Sequence, residues 1–264
     1  MQARSALFDL YGDHLRKRGR QAPVAALIRL LAPLGIAAPA VRTAISRMVR
    51  QGWLLPLRTS GGPGYRLTAK AAVRLEEAAA RIYRTNQPAW DGRFDLLVVT
   101  NPTSRSQRER LAANLTFHGY GRLDSTVWVA ARHAGEVESM LSDLSTRYER
   151  FSSVHTSGPA GARVLVGRAW DVAAIGAAYT DFVERMTPVV KAVDAGAGDE
   201  AAYAARSRLV HEWRAFLFRD PQLPLSLLPH PWPGTAAAAF FDRHAGRLRP
   251  AADRYVDHCL ADKE

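Results

Sequence analysis

Residues 39–68 read PAVRTAISRMVRQGWLLPLRTSGGPGYRLT. The first part predicts a helix, because apolar residues recur at helical spacing and leave one face with arginines and hydroxyls until Gly52 ends it. The second part predicts a hairpin, with a strand over 53–57, a glycine-rich tip over 59–64 and a returning strand over 65–67. A helix followed at once by a small hairpin is typical of a winged helix-turn-helix, which reads DNA.

Two further helices are predicted upstream of this stretch. The first spans 5–18 and ends in a basic run. The second begins at Pro23, a residue suited to the first turn of a helix, and is closed by Pro33 and Gly35. A fourth helix is predicted from Thr68, its cap, to about residue 84. Three helices, the hairpin and this fourth helix make up the predicted N-terminal module.

The charge distribution supports a nucleic-acid partner for this module. The chain has 264 residues and a formal net charge of +11. Residues 1–90 contain 15 Lys+Arg against 4 Asp+Glu, whereas residues 91–264 contain 21 of each. A charge that served only solubility would be spread over the chain, so this pattern favours a phosphate-facing module followed by neutral domains.

We expect two groups of residues to contact DNA. On the helix face, Arg42, Thr43, Ser46 and Arg47 are predicted to reach base edges, with Arg50 beside them. Six other basic residues are predicted to contact the phosphates of the DNA backbone: Arg58, Arg66, Arg16, Lys17, Arg18 and Arg20. The alternative is an ordinary amphipathic helix whose arginines are only solvated. A phosphate-cradling loop at 61–64 is a weaker alternative, because no Lys-Ser/Thr pair follows it.

The rest of the chain predicts an α+β protein of three domains: 1–88, 89–170 and 171–264. The central domain is predicted to be ferredoxin-like, although one strand of that pattern is hard to place. Its predicted elements are a strand over 94–100, a helix over 104–117, a strand within 121–131, a helix over 135–148 and a strand around 162–167. The C-terminal domain is predicted to be helical over 171–193, 199–218 and 235–262.

Several classes of protein are disfavoured by the sequence. With Cys259 alone, neither a disulfide framework nor a cysteine zinc site can form within one chain, and we expect a reducing, cytoplasmic setting. No signal peptide is expected, and the uncharged stretch 221–241 contains too many prolines for a membrane helix. We expect no metal, cofactor or catalytic residue. Three evenly spaced histidines are better explained as scattered surface residues than as a zinc site: His230, His244 and His258.

A ferredoxin-like, metal-dependent nuclease is the competing enzyme hypothesis. Such an enzyme would need an acidic residue near the end of its first strand, but 98–101 contains none and Asp95 lies at the strand's beginning. The sequence contains no nucleophile elbow, zincin helix or dinucleotide glycine fingerprint either. A third hypothesis is a DNA-binding protein without a small-molecule effector.

Several motifs resemble landmarks of the PaaX family of repressors of phenylacetic acid degradation. They are RTAISRMVRQGW at 42–53, YRLT at 65–68, WDG at 90–92, HEWR at 211–214, FLFRDP at 216–221 and WPG at 232–234. The match covers nearly the whole chain. The resemblance implies a homodimeric repressor of double-stranded operators, a Cas2-like central domain, and release from DNA by an aryl-acetyl-CoA thioester such as phenylacetyl-CoA.

An acyl-CoA effector would need an apolar or aromatic slot and cations for its phosphates. The C-terminal motifs supply both residue types, so the candidate effector-binding residues are His211, Arg214, Arg219 and Trp232, with Trp213 in reserve. The structural alternative is equally open for each of them. Arg219 can form an ion pair or a cap with Asp220, and Trp232, between two prolines, can simply fill a core.

Overall fold

The computed structural model describes residues 1–83, 89–100, 104–132, 135–144, 146–193 and 197–261. The predicted helix break at 86–88 lies outside the described residues. The chain forms two compact units. The first consists of Met1–Asn86, Phe182–Arg214 and Ala237–Glu264, and the second of Gln87–Asp181 and Ala215–Ala236. These units differ from the three consecutive domains predicted above, because the C-terminal helices contribute to both of them.

The described residues form an α+β structure. Its helices are α1 Ala3–Asp9, α2 Val24–Leu31, α3 Ala38–Arg50, α4 Ala69–Ile82, α5 Arg105–Phe117, α6 Glu136–Asp143, α7 Gly158–Ala169, α8 Val172–Lys191, α9 Asp199–Arg214 and α10 Pro233–Ala261. Its strands are β1 Gln21–Pro23, β2 Leu54–Thr59, β3 Gly62–Leu67, β4 Phe94–Val99, β5 Gly121–Arg122, β6 Val127–Ala130 and β7 Tyr148–Ser153. No helix in the described ranges is long and apolar enough to cross a membrane.

The core of the first unit explains why its N-terminal helices form. Apolar residues of α1, α2 and α3 meet β2 and β3 in one buried cluster, which also contains Tyr203 of α9 and Ala252 and Val256 of α10. This packing places α9 and most of α10 in the first compact unit. The predicted boundaries of α8, α9 and α10 agree with the structure to within about four residues, and a 3₁₀ turn continues α9 over Ala215–Phe218.

Helix α3 forms where the sequence predicts it. Its apolar positions Val41, Ala44, Ile45 and Met48 are buried. The helix ends at Arg50. Gly52 follows with a φ of 71°, which suits glycine, and the next amide, of Trp53, donates to the Met48 carbonyl at 2.9 Å.

The hairpin after α3 differs from the prediction at its tip. Strand β2 pairs with β3 up to Thr59 and Gly62, so the turn is Ser60–Gly61 and the predicted tip over 59–64 is too long. Gly64 belongs to β3, where a Cβ atom would lie 2.6 Å from the carbonyl oxygen of Ala22. The glycine therefore allows β1 to approach β3 closely.

Two other features of the first unit correct the sequence reading. Pro23 ends β1, a strand that was not predicted, and α2 starts one residue later. The first helix does not reach residue 18, because α1 ends at Asp9 and a π-helical turn, Leu10–His14, follows it. The basic run at 16–18 therefore lies beyond the helix. The three strands form an antiparallel sheet in the order β1-β3-β2.

The second unit contains a four-stranded antiparallel sheet in the order β5-β6-β4-β7. Strands and helices follow one another as β4-α5-β5-β6-α6-β7, which is the β-α-β-β-α-β order of ferredoxin-like folds. Apolar clusters cover the sheet on both faces, one with Leu111 and Leu141, the other with Ala162 and Val166.

The missing strand of this pattern is now placed. The predicted single strand within 121–131 is two strands, β5 and β6, joined by a turn. The last strand is β7, which begins at Tyr148, the last residue of the helix predicted over 135–148, and covers a segment for which no strand was predicted. The strand predicted around 162–167 is wrong, because that segment belongs to α7, where Ala162 and Val166 are buried one helical turn apart and Val164 is exposed.

Candidate nucleic-acid interface

One face of α3 is exposed and carries the predicted base-contacting residues. Thr43 and Ser46 lie on this face, and the hydroxyl of Thr43 donates to the Pro39 carbonyl at 2.9 Å. The complete set of exposed predicted residues on α3 is Arg42, Thr43, Ser46, Arg47 and Arg50. Positions spaced by one, four, five and eight residues share a helix face, so the structure gathers these five side chains into one strip.

The arginines of this strip are available to a ligand. Within the described residues, the side chains of Arg42, Arg47 and Arg50 make no hydrogen bond or ion pair. Guanidinium groups in this state can form bidentate contacts with guanine or with phosphate. An amphipathic helix whose arginines are only solvated would show the same burial pattern. DNA-binding experiments distinguish it from a helix that reads DNA.

The two hairpin arginines lie on opposite faces of the sheet. Arg58 pairs with Pro63 and Arg66 with Leu55, and alternate residues of a strand point to opposite faces. Arg58 shares its face with Leu54, which is packed in the α3 cluster, whereas Arg66 is on the other face. Both side chains are exposed. They therefore cannot both lie against the same stretch of a duplex on the α3 side.

The basic run after the first helix is largely paired with carboxylates. Arg16 donates to Glu76 through Nε at 3.0 Å, and Arg20 contacts the same carboxylate. The hydrogen bond from Arg16 holds the pKa of Glu76 below its usual value. Arg18 donates from Nε to Asp257 at 2.6 Å. Of this group only Lys17 is exposed and has no partner among the described residues.

Three of the candidate effector residues lie in the first unit and are already engaged. His211 Nδ1 lies 2.6 Å from Asp9 Oδ2, and Arg214 Nη1 lies 2.9 Å from Asp9 Oδ1. Trp213 is buried, stacks on Phe241 at 4.8 Å between ring centroids, and donates its Nε1 hydrogen to a backbone carbonyl. Trp213 is thus a core residue in this structure.

The other two candidates lie in the second unit. Arg219 is exposed. Trp232 is half-buried, and its ring lies edge-on to that of Tyr179 with 6.1 Å between the ring centroids. The hydroxyl of Tyr179 donates to Asp220, whose other oxygen accepts the Gln222 amide at 2.6 Å. The structure therefore divides the five candidates between its two units, and their role in effector binding stays a prediction.

The first unit contains a buried charge cluster that the sequence did not predict. Asp13 accepts hydrogen bonds from Arg206 and from the Tyr83 hydroxyl, the latter at 2.5 Å. Burial lowers the pKa of Arg206 to about 10, so its guanidinium remains charged at neutral pH. The spacing of Asp9 and Asp13 on one apolar helix was a signal for buried acids. Their partners, about two hundred residues away, could not be read from the sequence.

The acidic residue considered for a nuclease is held by other side chains. Tyr120 donates to Asp95 Oδ2 at 2.6 Å, and Arg150 donates to Asp95 Oδ1 at 3.0 Å. Arg150 also pairs with Glu138. In the described part of the chain, no group of three or more His, Cys, Asp or Glu residues is arranged to hold a metal ion.

Three family models match consecutive parts of the chain. "PaaX-like protein" matches residues 2–71, "PaaX protein central Cas2-like domain" matches residues 87–165, and "PaaX-like protein C-terminal domain" matches residues 170–258. The family resemblance seen in the sequence motifs is therefore confirmed.

Two individual proteins are similar over nearly the whole chain. "Transcriptional repressor PaaX" of Escherichia coli (strain K12) is 29% identical over 261 residues, which cover 96% of this chain and 82% of that protein. The solved structure of an uncharacterized protein from Mycobacterium tuberculosis matches with a TM-score of 0.62 and 25% identity, over 96% of this chain and 98% of that one.

Proposed function

The chain belongs to the PaaX family, and on this premise we propose that it is a sequence-specific DNA-binding transcriptional repressor. The single observation that carries the proposal is the exposed strip of α3, whose three arginines have no partner among the described residues. The repressor name of the Escherichia coli relative supports the same function.

The N-terminal module is, in this proposal, a winged helix. Its elements follow the order α1-β1-α2-α3-β2-β3, with a short three-stranded sheet beside the helices. In such a module α3 enters the major groove and the hairpin lies against the neighbouring backbone. Arg42, Thr43, Ser46 and Arg47 then read bases. Phosphates are contacted by Arg50, by Lys17 and by Arg58, the hairpin arginine on the α3 side of the sheet.

The effector is proposed to be an aryl-acetyl-CoA thioester such as phenylacetyl-CoA, and the DNA-bound form a homodimer on an inverted-repeat operator. Release requires that the effector favour a state with a weaker grip on DNA. A coupling of about 1 to 3 kcal/mol changes affinity by about 5 to 150-fold, which is sufficient for such a switch.

A gel-shift titration with the DNA upstream of the protein's own gene tests this function. We expect a retarded complex that survives an excess of unrelated DNA and is released by phenylacetyl-CoA but not by free coenzyme A. The variant Arg42→Ala combined with Arg47→Ala should lose the specific complex, while Arg254→Ala, whose guanidinium pairs with Asp199, should retain it. Equal binding to unrelated DNA would contradict the repressor. A specific complex that no acyl-CoA releases would support a repressor without such an effector.

A further inference from the structure

Two carboxylates hold the start of the chain against α9 in the first unit. Asp9, at the end of α1, contacts His211 and Arg214, and Asp13, in the π-helical turn, contacts Arg206. The side chains of Asp9 and Asp13 are only 6% and 7% exposed. Buried ion pairs are expensive to desolvate, and an apolar pair of similar volume is often as stable, so stability alone does not account for them.

The Asp9 contact is the less complete of the two. Asp13 accepts a hydrogen bond at each oxygen, from Arg206 and from Tyr83. Asp9 Oδ1 is buried, and no hydrogen bond reaches it from the described residues, although Arg214 Nη1 lies 2.9 Å away. A buried carboxylate oxygen without a hydrogen bond retains part of its desolvation cost. Less free energy therefore opposes the replacement of Asp9 by another anion.

The surroundings of Asp9 also differ from a closed core. A small cavity with room for about one water molecule adjoins Asp9 and Arg214. Its walls also include Tyr83 and the Asp13 carboxylate, which is paired with Arg206. The remaining wall residues are Gly12 and six with apolar side chains: Phe8, Leu75, Ala78, Ala79, Ile82 and Val210. An anion that replaced the Asp9 carboxylate would find two cationic or hydrogen-bonding groups beside an apolar surface, which is a suitable combination for an organic anion.

We propose that His211 and Arg214 form an anion-binding site in which Asp9 is the resident anion, and that a phosphate or carboxylate group of a ligand displaces Asp9. Displacement removes the Asp9 contact that ties α1 to α9. The effect of this displacement on DNA binding rests on the proposed function. Helix α1 packs against α3 in the same buried cluster, and the ring centroids of Phe8 and Trp53 lie 4.6 Å apart. A loosened α1 therefore disturbs the support of α3 and of the hairpin.

The variant Asp9→Asn tests the proposal without DNA. A ligand that must first displace an internal group binds with an affinity reduced by the fraction of molecules in which the site is open. Removing the resident charge should therefore tighten anion binding by about 5 to 150-fold, the range of ordinary couplings between sites. The matched control is Asp95→Asn, which removes an equally buried, arginine-paired carboxylate of the second unit and should leave the anion affinity of the wild type.

Three probes are titrated separately by calorimetry: inorganic phosphate, coenzyme A and phenylacetate. A gain with phosphate and coenzyme A assigns a phosphate site, and a gain with phenylacetate assigns a carboxylate site. Adding Arg214→Gln to Asp9→Asn should abolish the gain. The proposal is overturned if Asp9→Asn shows no gain with any probe, or if Asp95→Asn shows the same gain.

A measurement on the wild-type chain covers the case in which Asp9→Asn fails to fold. Hydrogen exchange of the α1 amides should become faster with a saturating probe, whereas a ligand that merely stabilises the fold would slow it. Unchanged or slower exchange with all three probes overturns the proposal. Because neither experiment contains DNA, a protein that binds no operator would contradict the proposed function and leave these results unaffected.

Discussion

At the scale of single residues, a substitution of Arg47 distinguishes a base contact from a phosphate contact. The variant Arg47→Ala is expected to weaken operator binding by about 1 to 3 kcal/mol and to blur the preference at one base pair. Competition titrations over operators with single base-pair changes measure both effects. Lys17→Ala is the matched control, since Lys17 is exposed and unpaired but lies outside α3. A uniform loss for Arg47→Ala, equal to that of the control, would assign Arg47 to phosphate.

His14 predicts how stability depends on pH. Its side chain is buried beside Ser207, with Nε2 and Oγ 2.9 Å apart, and burial lowers the pKa of His14 to about 4. The unfolded chain therefore binds a proton below about pH 6.5 that the folded chain refuses until about pH 4. The free energy of unfolding should fall across that window by about 3 kcal/mol through this residue, at about 1.4 kcal/mol for each pKa unit.

Urea unfolding at several pH values measures this loss. Other groups titrate in the same window, so the comparison is with His14→Asn, which removes the titrating group and keeps a polar side chain of smaller size. The variant should be less stable at neutral pH and should lose less stability on acidification. Parallel pH profiles for the two proteins would contradict the assignment to His14.

At the scale of elements, the hairpin depends on a glycine in β3. A Cβ atom at position 64 would lie 2.6 Å from the Ala22 carbonyl oxygen, so Gly64→Ala must push β1 away from β3. Overpacking of this kind costs about 1 to 3 kcal/mol. Gly246→Ala is the control in α10, where an added Cβ meets nothing within 4 Å and should instead stabilise by about 0.5 to 1 kcal/mol. The midpoint of thermal unfolding should fall for Gly64→Ala and rise for Gly246→Ala. Equal shifts would contradict the close approach of β1 to β3.

The elements also show which information the sequence contains. The exposed strip of α3 was predictable because a helix of known period determines which of its residues are buried. Strand β1 was not, because its three residues form a strand only by pairing with β3, more than forty residues later. The segment 162–167 was misread because its valines favour strands, whereas the packing of Ala162 and Val166 determines a helix.

At the scale of the whole molecule, ion pairing reduces the charge available to DNA. The candidate interface contains nine basic side chains, but Arg16, Arg18 and Arg20 are held by carboxylates of α4 and α10. Their partners lie 60, 239 and 56 positions away in the chain, which is why composition alone overestimated the phosphate-binding set. The six basic residues without partners in the described part of the chain are Lys17, Arg42, Arg47, Arg50, Arg58 and Arg66.

This difference has a measurable consequence in the salt dependence of binding. A site that neutralises 6 to 10 phosphates loses about 10³ to 10⁵ in affinity between about 50 and 200 mM salt, and each phosphate contact adds about 0.9 to the slope of log K against log salt. Arg50→Gln and Arg58→Gln should each lower the slope by about one, because an unpaired cation releases a counterion on binding. Arg16→Gln and Arg18→Gln should leave it unchanged, since their charges are already neutralised by Glu76 and Asp257. A flat salt response would contradict the phosphate-binding module, and equal slopes for all four variants would show that the carboxylates release their arginines to the duplex.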